Sequence, residues 1–156
     1  MAREIERKFL VEGTGYKEGN APLLYRQGYL NTGPERTVRI RVAGDKGFIT
    51  IKGRTEGITR SEFEYEIPVG DADIILNTLC DKPIIEKLRY LYEHEGRVWE
   101  IDEFLGENEG LIVAETELES EEEDFSMPVW ISAEVSDDPR YFNSNLIRNP
   151  YRKWRD

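Results

Sequence analysis

Glu4-Ile5-Glu6-Arg7-Lys8-Phe9, EIERKF in one-letter code, poses the question on which the fold turns. Residues two apart share one face of a strand, so Glu4, Glu6 and Lys8 would line one side and Ile5, Arg7 and Phe9 the other. A strand with a whole face of charge is an ordinary solvated strand if that face meets water. The same residues also fit a helix, because Glu4 and Lys8 stand i,i+4 in the stabilising order. The segment alone does not decide.

Other segments repeat the alternation. It recurs in LYRQGYL (Leu24 to Leu30), ERTVRIRV (Glu35 to Val42), FITIKG (Phe48 to Gly53) and RSEFEYEIPV (Arg60 to Val69), where Phe63, Tyr65 and Ile67 oppose Glu62, Glu64 and Glu66. IIEKLRYLYE (Ile84 to Glu93), RVWEIDEF (Arg97 to Phe104) and LIVAETELES (Leu111 to Ser120) continue it. Bounded by Gly, Pro and Asp, these read as strands joined by turns. Ala43 to Gly47 and Glu95-Gly96 make hairpin turns, and Glu107 to Gly110 a polar turn. Asp71 is placed to cap a helix carrying Ile75, Leu76 and Leu79 at helical spacing. Asp138-Pro139 starts a second helix, and Pro150 interrupts any continuation. The expectation is an α+β, mainly β chain of about eight strands, with a mid-chain helix and a C-terminal helix.

Composition narrows the function classes. With 156 residues and no linker-like tract, one domain over residues 1–156 is expected. Charged residues make up 34% of the chain, but aliphatic and aromatic residues recur throughout, which argues against disorder. The net charge of -11 argues against a nucleic-acid surface, which works by neutralising phosphate. Cys80 is the only cysteine, so neither an intrachain disulfide nor a cysteine zinc site is available, and it reads as packed. No apolar run is long enough to span a membrane, and Glu4 and Glu6 interrupt any signal-peptide pattern, so a cytoplasmic protein is expected. The acidic run Ser120 to Asp124 reads as a solvated turn or helix start.

Placing the polar faces side by side sharpens the reading. Glu4, Glu6 and Lys8 are followed by Arg39 and Arg41, by Thr50 and Lys52, by Glu62 and Glu64, and by Lys87 and Arg89. Glu100 and Asp102, then Glu115 and Glu117, complete the series. The charges are sorted by strand, some acidic and others basic. Closing such strands into a barrel would turn these faces onto one lumen. Arg39, Arg41, Lys52, Lys87 and Arg89 would then hold a polyanion, while the carboxylates would carry the hard, oxygen-seeking cations Mg2+ or Mn2+.

The E-x-E-x-K of Glu4, Glu6 and Lys8, followed by RIR, IK, E-x-E, K-x-R and a late E-x-E, resembles the CYTH superfamily, the triphosphate tunnel metalloenzymes. RQGYL, WEIDEF and LIVAETELE fit the same order over nearly the whole chain, as in the small bacterial members. The resemblance implies an eight-stranded antiparallel β-barrel forming a tunnel, and hydrolysis of a triphosphate. It implies phosphate contacts from Lys8, Arg39, Arg41, Lys52, Lys87 and Arg89. Metal ligands are expected among Glu4, Glu6, Asp102, Glu115 and Glu117, with Glu62 and Glu64 as further ligands or holders of water. Glu4, Glu6 and Lys87 are the expected catalytic groups. Tyr29, projecting with Tyr25 and Gln27, joins them as a residue that positions water, against a packing role.

Inorganic tripolyphosphate is the favoured substrate, because no base-recognition segment accompanies the charges. A nucleoside or thiamine triphosphatase, an adenylyl cyclase and a non-catalytic polyphosphate-binding module use the same residues and stay as alternatives, and a homodimer stays open. His94 reads as a surface residue. Trp99, Trp130 and Trp154 read as packing. Lys153 and Arg155 either cap a tunnel mouth or face solvent, and Arg7 has no assigned partner.

Overall fold

Eight antiparallel strands close on themselves in the computed structural model, which describes residues 2–154. They are β1 (Arg3–Val11), β2 (Leu23–Asn31), β3 (Arg36–Ala43), β4 (Lys46–Gly53), β5 (Thr59–Ile67), β6 (Ile85–His94), β7 (Arg97–Phe104) and β8 (Ile112–Glu117). The order around the barrel is β5-β4-β3-β2-β6-β7-β8-β1, and pairing of β1 with β5 closes it. The EIERKF stretch is the seam. Arg3 to Ile5 pair with β5 on one edge, and Glu6 to Leu10 pair with β8 on the other.

Strand bounds differ from the expected ones by at most three residues, the largest difference being the end of β8 at Glu117, and β7 falls where expected. One strand was not anticipated: β9 (Ile131–Glu134) takes up the edge of β1 that β5 has left, with Phe9 opposite Glu134 and Val11 opposite Ile131. Its four residues ISAE are too short to show a period. The β6–β7 hairpin turns on Glu95 and Gly96, both left-handed, with φ of 50° and 79°. That matches the tight turn whose twist suits a two-residue hairpin.

The helix α1 (Val69–Thr78) packs outside the barrel, burying Ala72 and Leu76 against Ile40 and Val42 with Cys80. Asp71 is not its cap. Pro68 occupies that position and Asp71 falls in the first turn, where its charge suits the helix dipole. Two glycines permit the close approach: a Cβ on Gly28 would meet Cys80 Cβ at 2.8 Å, and one on Gly47 would meet Ala72 Cβ at 2.8 Å.

The expected C-terminal helix is shorter than anticipated. Asp138 does accept from the Arg140 backbone N–H at 3.1 Å, but it starts only the 3-10 turn Pro139–Tyr141. The helix α2 (Asn143–Leu146) follows with four residues. This segment has a larger role than its length suggests. Tyr141, Leu146 and Ile147 cluster with Tyr29, Ile85, Phe104, Leu111 and Val113. By strand alternation Tyr29, Ile85, Phe104 and Val113 share the inward face with the charged residues. One end of the lumen is therefore filled by apolar packing.

A separate cluster of Phe9, Tyr16, Tyr90, Trp99, Ile101, Ala114 and Trp130 lies on the outward faces of β1, β6, β7 and β8. Trp99 and Trp130 are packing residues, as expected, and Trp154 stacks edge-on with Tyr141 at 5.1 Å between ring centres. Arg7 gains its explanation here. It pairs with Glu134 through two bonds of 2.9 and 2.6 Å and lies over the Phe9 and Phe125 rings. The acidic run is not merely solvated, since Glu121 accepts from Thr59 and Glu123 pairs with Arg97. Lys153 is exposed, and Arg155 lies outside the described residues. No described helix is long and apolar enough to cross a membrane.

Candidate active site

Alternation along the closed strands gathers the sorted charges around a single cavity of about 220 Å³. Glu4, Glu6 and Lys8 enter from β1, Arg39 and Arg41 from β3, Lys52 from β4, Glu62 and Glu64 from β5, Lys87 and Arg89 from β6, and Glu115 and Glu117 from β8. Tyr29 from β2 also lines it. Asp102 does not. It faces inward but is almost wholly covered by its neighbours, with Arg89 gripping both its oxygens at 2.8 and 2.9 Å and Lys87 Nζ 2.7 Å away.

The basic wall carries more positive charge than its partners neutralise. Arg39 lies 3.3 Å and Arg41 3.5 Å from the same oxygen of Glu64. The Nε atoms of both arginines are buried with no hydrogen-bond partner among the described residues. Burial, with the neighbouring Arg39 and Arg89, pushes the Arg41 guanidinium down to about 10. The Tyr25 ring lies between two of these cations, 5.0 Å from Arg41 and 4.6 Å from Arg89, and disperses part of their charge. Such a group of cations is built for an incoming anion.

Lys87 is the most deeply placed of them. Burial holds its ammonium down to about 7 despite Asp102, and Arg89 adds repulsion. Its Nζ also donates to Asn143 Oδ1 at 2.9 Å. Lys8, across the lumen, lies 3.3 Å from Glu115. Against the effect of burial, Glu115 and Glu6 hold Lys8 above its ordinary value.

The acidic wall is crowded in the opposite sense. Oxygens of Glu4, Glu62 and Glu117 all lie within 4.8 Å of one another. Burial and the nearby Glu4 raise both Glu62 and Glu117. Glu4 itself is held below the carboxylate range, because Lys52 and Arg60 outweigh its burial. Lys52 donates to both its oxygens at 3.0 and 3.1 Å, and Arg60 donates at 3.3 Å. Burial and the adjacent Glu115 raise the Glu6 carboxyl well above its usual range, and the two side chains are hydrogen-bonded. Three converging carboxylates that repel one another, all with hard oxygen donors, fit a divalent cation. Glu6 and Glu115 stand beside them as further oxygen donors, whereas Glu64 is turned to Thr50 and the two arginines.

Of the cavity residues that escaped sequence reading, Arg60 and Asn143 make direct contacts to the site's charged groups. Arg60 has the same strand parity as Glu62 and Glu64, so alternation alone could have found it. Asn143 lies on a segment with no periodicity to place it. Tyr29 is 4% exposed and belongs both to the cavity wall and to the apolar end, with its hydroxyl 3.4 Å from Gln27 Nε2. His94 does not line this cavity and contacts Ser126 at 3.1 Å and Glu95 at 3.2 Å.

Comparison with known proteins agrees in extent. A family model described as the CYTH domain matches residues 2–148. The chain is 55% identical over 156 residues to the inorganic triphosphatase of Acetivibrio thermocellus, covering 100% of both chains. It is 36% identical over 147 residues to the inorganic triphosphatase of Nitrosomonas europaea, covering 92% of this chain and 95% of that one. A crystal structure of an inorganic triphosphatase matches with a TM-score of 0.67 at 32% identity, over 94% of this chain and 95% of the other.

Proposed function

The chain belongs to the CYTH domain family, and we propose that it hydrolyses inorganic tripolyphosphate to pyrophosphate and phosphate with Mg2+ or Mn2+. One observation carries the reading: a cluster of under-neutralised cations faces a cluster of mutually repelling carboxylates across one cavity. The cations match a phosphate chain and the carboxylates match its counter-cation. The relatives' activity supports the choice of substrate. So does the wall, whose apolar and aromatic side chains among the described residues are Tyr29, Ile58 and Phe142, with Tyr29 packed into the apolar end, leaving little surface on which a nucleobase could stack.

In this reading Arg39, Arg41, Lys8 and Lys52 bind the phosphate oxygens, the arginines through paired N–H groups and the lysines as point charges. Glu4, Glu62 and Glu117, assisted by Glu6 and Glu115, would hold the divalent cation, which supplies positive charge against the phosphate oxygens. Asp102 is reassigned from metal ligand to holder of Lys87 and Arg89, since both its oxygens are already committed. Water attacks the terminal phosphorus in line, its proton passing to a cavity carboxylate, while the bond to the bridging oxygen breaks. Lys87 steadies the negative charge on that leaving oxygen, and pyrophosphate departs. Tyr29 orients water at the inner end of the cavity.

A panel of tripolyphosphate, pyrophosphate, ATP, GTP and thiamine triphosphate, each with Mg2+, Mn2+ or Ca2+, tests this. Phosphate release should be fastest from tripolyphosphate and should require Mg2+ or Mn2+. Faster turnover of ATP or thiamine triphosphate would overturn the substrate assignment, cyclic AMP from ATP would indicate a cyclase, and binding without turnover a carrier module.

A further inference from the structure

Asn143 and Ser144 reach the cavity from α2, and Asn143 bonds directly to its deepest cation. Its Oδ1 accepts from Lys87 Nζ at 2.9 Å and from Gln27 Nε2 at 3.0 Å. Gln27 is wholly buried, its Nε2 bonding to Asn143 and lying 3.4 Å from the Tyr29 hydroxyl while its Oε1 has no partner among the described residues. Both neighbours donate to this oxygen, Lys87 through Nζ and Gln27 through its amide N–H, which sets the Asn143 amide with its oxygen towards Lys87. The Asn143 Nδ2 then points away from both donors, and it makes no hydrogen bond to any described residue. It is not among the buried unpartnered atoms, so it is open to solvent in a residue that lines the cavity.

We propose that Asn143 works in the active site at both ends of its amide: Oδ1 positions Lys87, and Nδ2 donates to an oxygen of the bound polyphosphate. The proposal rests on the triphosphatase reading above. It makes the C-terminal segment part of the catalytic machinery rather than only the packing that fills one end of the barrel. A neutral donor suits this place, because a carboxylate would repel the substrate and a further cation would crowd Lys87 and Arg89. The packing of Tyr141, Leu146 and Ile147 against the lumen wall supplies the rigid mount such a contact needs.

Steady-state kinetics on tripolyphosphate with Mg2+, for the full-length wild type and for Asn143→Ala and Asn143→Asp, test it, with thermal unfolding monitored in parallel. Asn143→Ala removes both contacts and should lower kcat/KM about 10- to 100-fold, reducing kcat and raising KM. Asn143→Asp keeps the shape and the oxygen facing Lys87 but loses the donor and adds negative charge. It should recover kcat towards wild type while raising KM above that of the alanine variant. Kinetics within about twofold of wild type in both variants, or lowered melting temperatures with kcat and KM unchanged, would overturn the proposal. A kcat for Asn143→Asp no better than for Asn143→Ala would overturn the positioning of Lys87. A wild type inactive on tripolyphosphate would instead remove the triphosphatase reading on which the proposal stands.

Discussion

Asp102 Oδ2 lies 2.7 Å from Lys87 Nζ, while Arg89 bonds to both oxygens of the same carboxylate, so one buried anion holds two of the cavity's cations. The Asp102 carboxyl is almost inaccessible, yet Arg89 and Lys87 outweigh its burial and hold it down to about 2. Removing it would leave two buried cations facing each other. Asp102→Ala should destabilise the fold by about 3–5 kcal/mol, the range for breaking a buried pair from one side. Urea denaturation reads this directly. A loss of activity with unchanged stability would return Asp102 to the list of metal ligands.

Lys87 gives a pH dependence with a definite sign. Its folded value is lowered to about 7 from an ordinary 10.5. Between those values the unfolded chain holds the proton and the folded chain does not, so stability rises with pH across that window on this account. The contribution is absent below about 7 and complete above the ordinary value. Lys87→Met should flatten this rise in metal-free protein, measured as the difference in urea midpoint between pH 7 and pH 10. An unchanged slope would show that Lys87 stays charged in the folded state.

Arg41 should trade stability for binding. Arg39 and Arg89 repel it, its Nε lacks a partner among the described residues, and its contact to Glu64 is shared with Arg39. Arg41→Gln should raise the urea midpoint of the ligand-free protein, by a gain on the order of 1 kcal/mol. The same change should raise KM for tripolyphosphate about tenfold or more. A variant that lost stability and kept its KM would contradict this account of the basic wall.

Metal binding should release protons. Burial and Glu115 raise the Glu6 carboxyl well above its ordinary range, and Glu62 and Glu117 are raised as well. A divalent cation binds carboxylates in their ionised form, so its affinity should increase with pH above the usual carboxylate range. Titration calorimetry of Mn2+ in buffers of different ionisation enthalpy counts the protons released. Glu4→Gln and Glu6→Gln should each abolish turnover with the barrel retained, and full metal-dependent activity in both would remove the acidic wall from the mechanism.

Gly28 tests the fold independently of the site. An added methyl would lie 2.8 Å from Cys80 Cβ and 3.1 Å from both Cys80 Sγ and Leu76 Cδ2. Gly28→Ala should cost about 1–3 kcal/mol through overpacking. Because that methyl faces α1 outside the barrel, kcat per folded molecule should stay at the wild-type value. A stable variant with altered kcat would mean that α1 and the lumen are coupled.

Period-two alternation by itself determined the inward and outward faces of most of the barrel. A side-chain period of two leaves a strand no freedom to put Glu4, Glu6 and Lys8 anywhere but on one side. Sorting by sign from strand to strand then identified the cavity walls, including every residue expected to touch phosphate. The tertiary structure alone decided what each charge does once it is there. Asp102 and Glu117 belong to similar acidic strand patterns, yet one is covered by Lys87 and Arg89 and spent on them, and the other joins Glu4 and Glu62 in the cavity. Strand parity names a face but not the depth along it or the partner across the lumen, which depend on register between strands distant in sequence. Likewise β9 and Asn143 carry no period of their own. They are placed by pairing with β1 and by packing into the barrel's end, relationships that exist only after the sheet has closed.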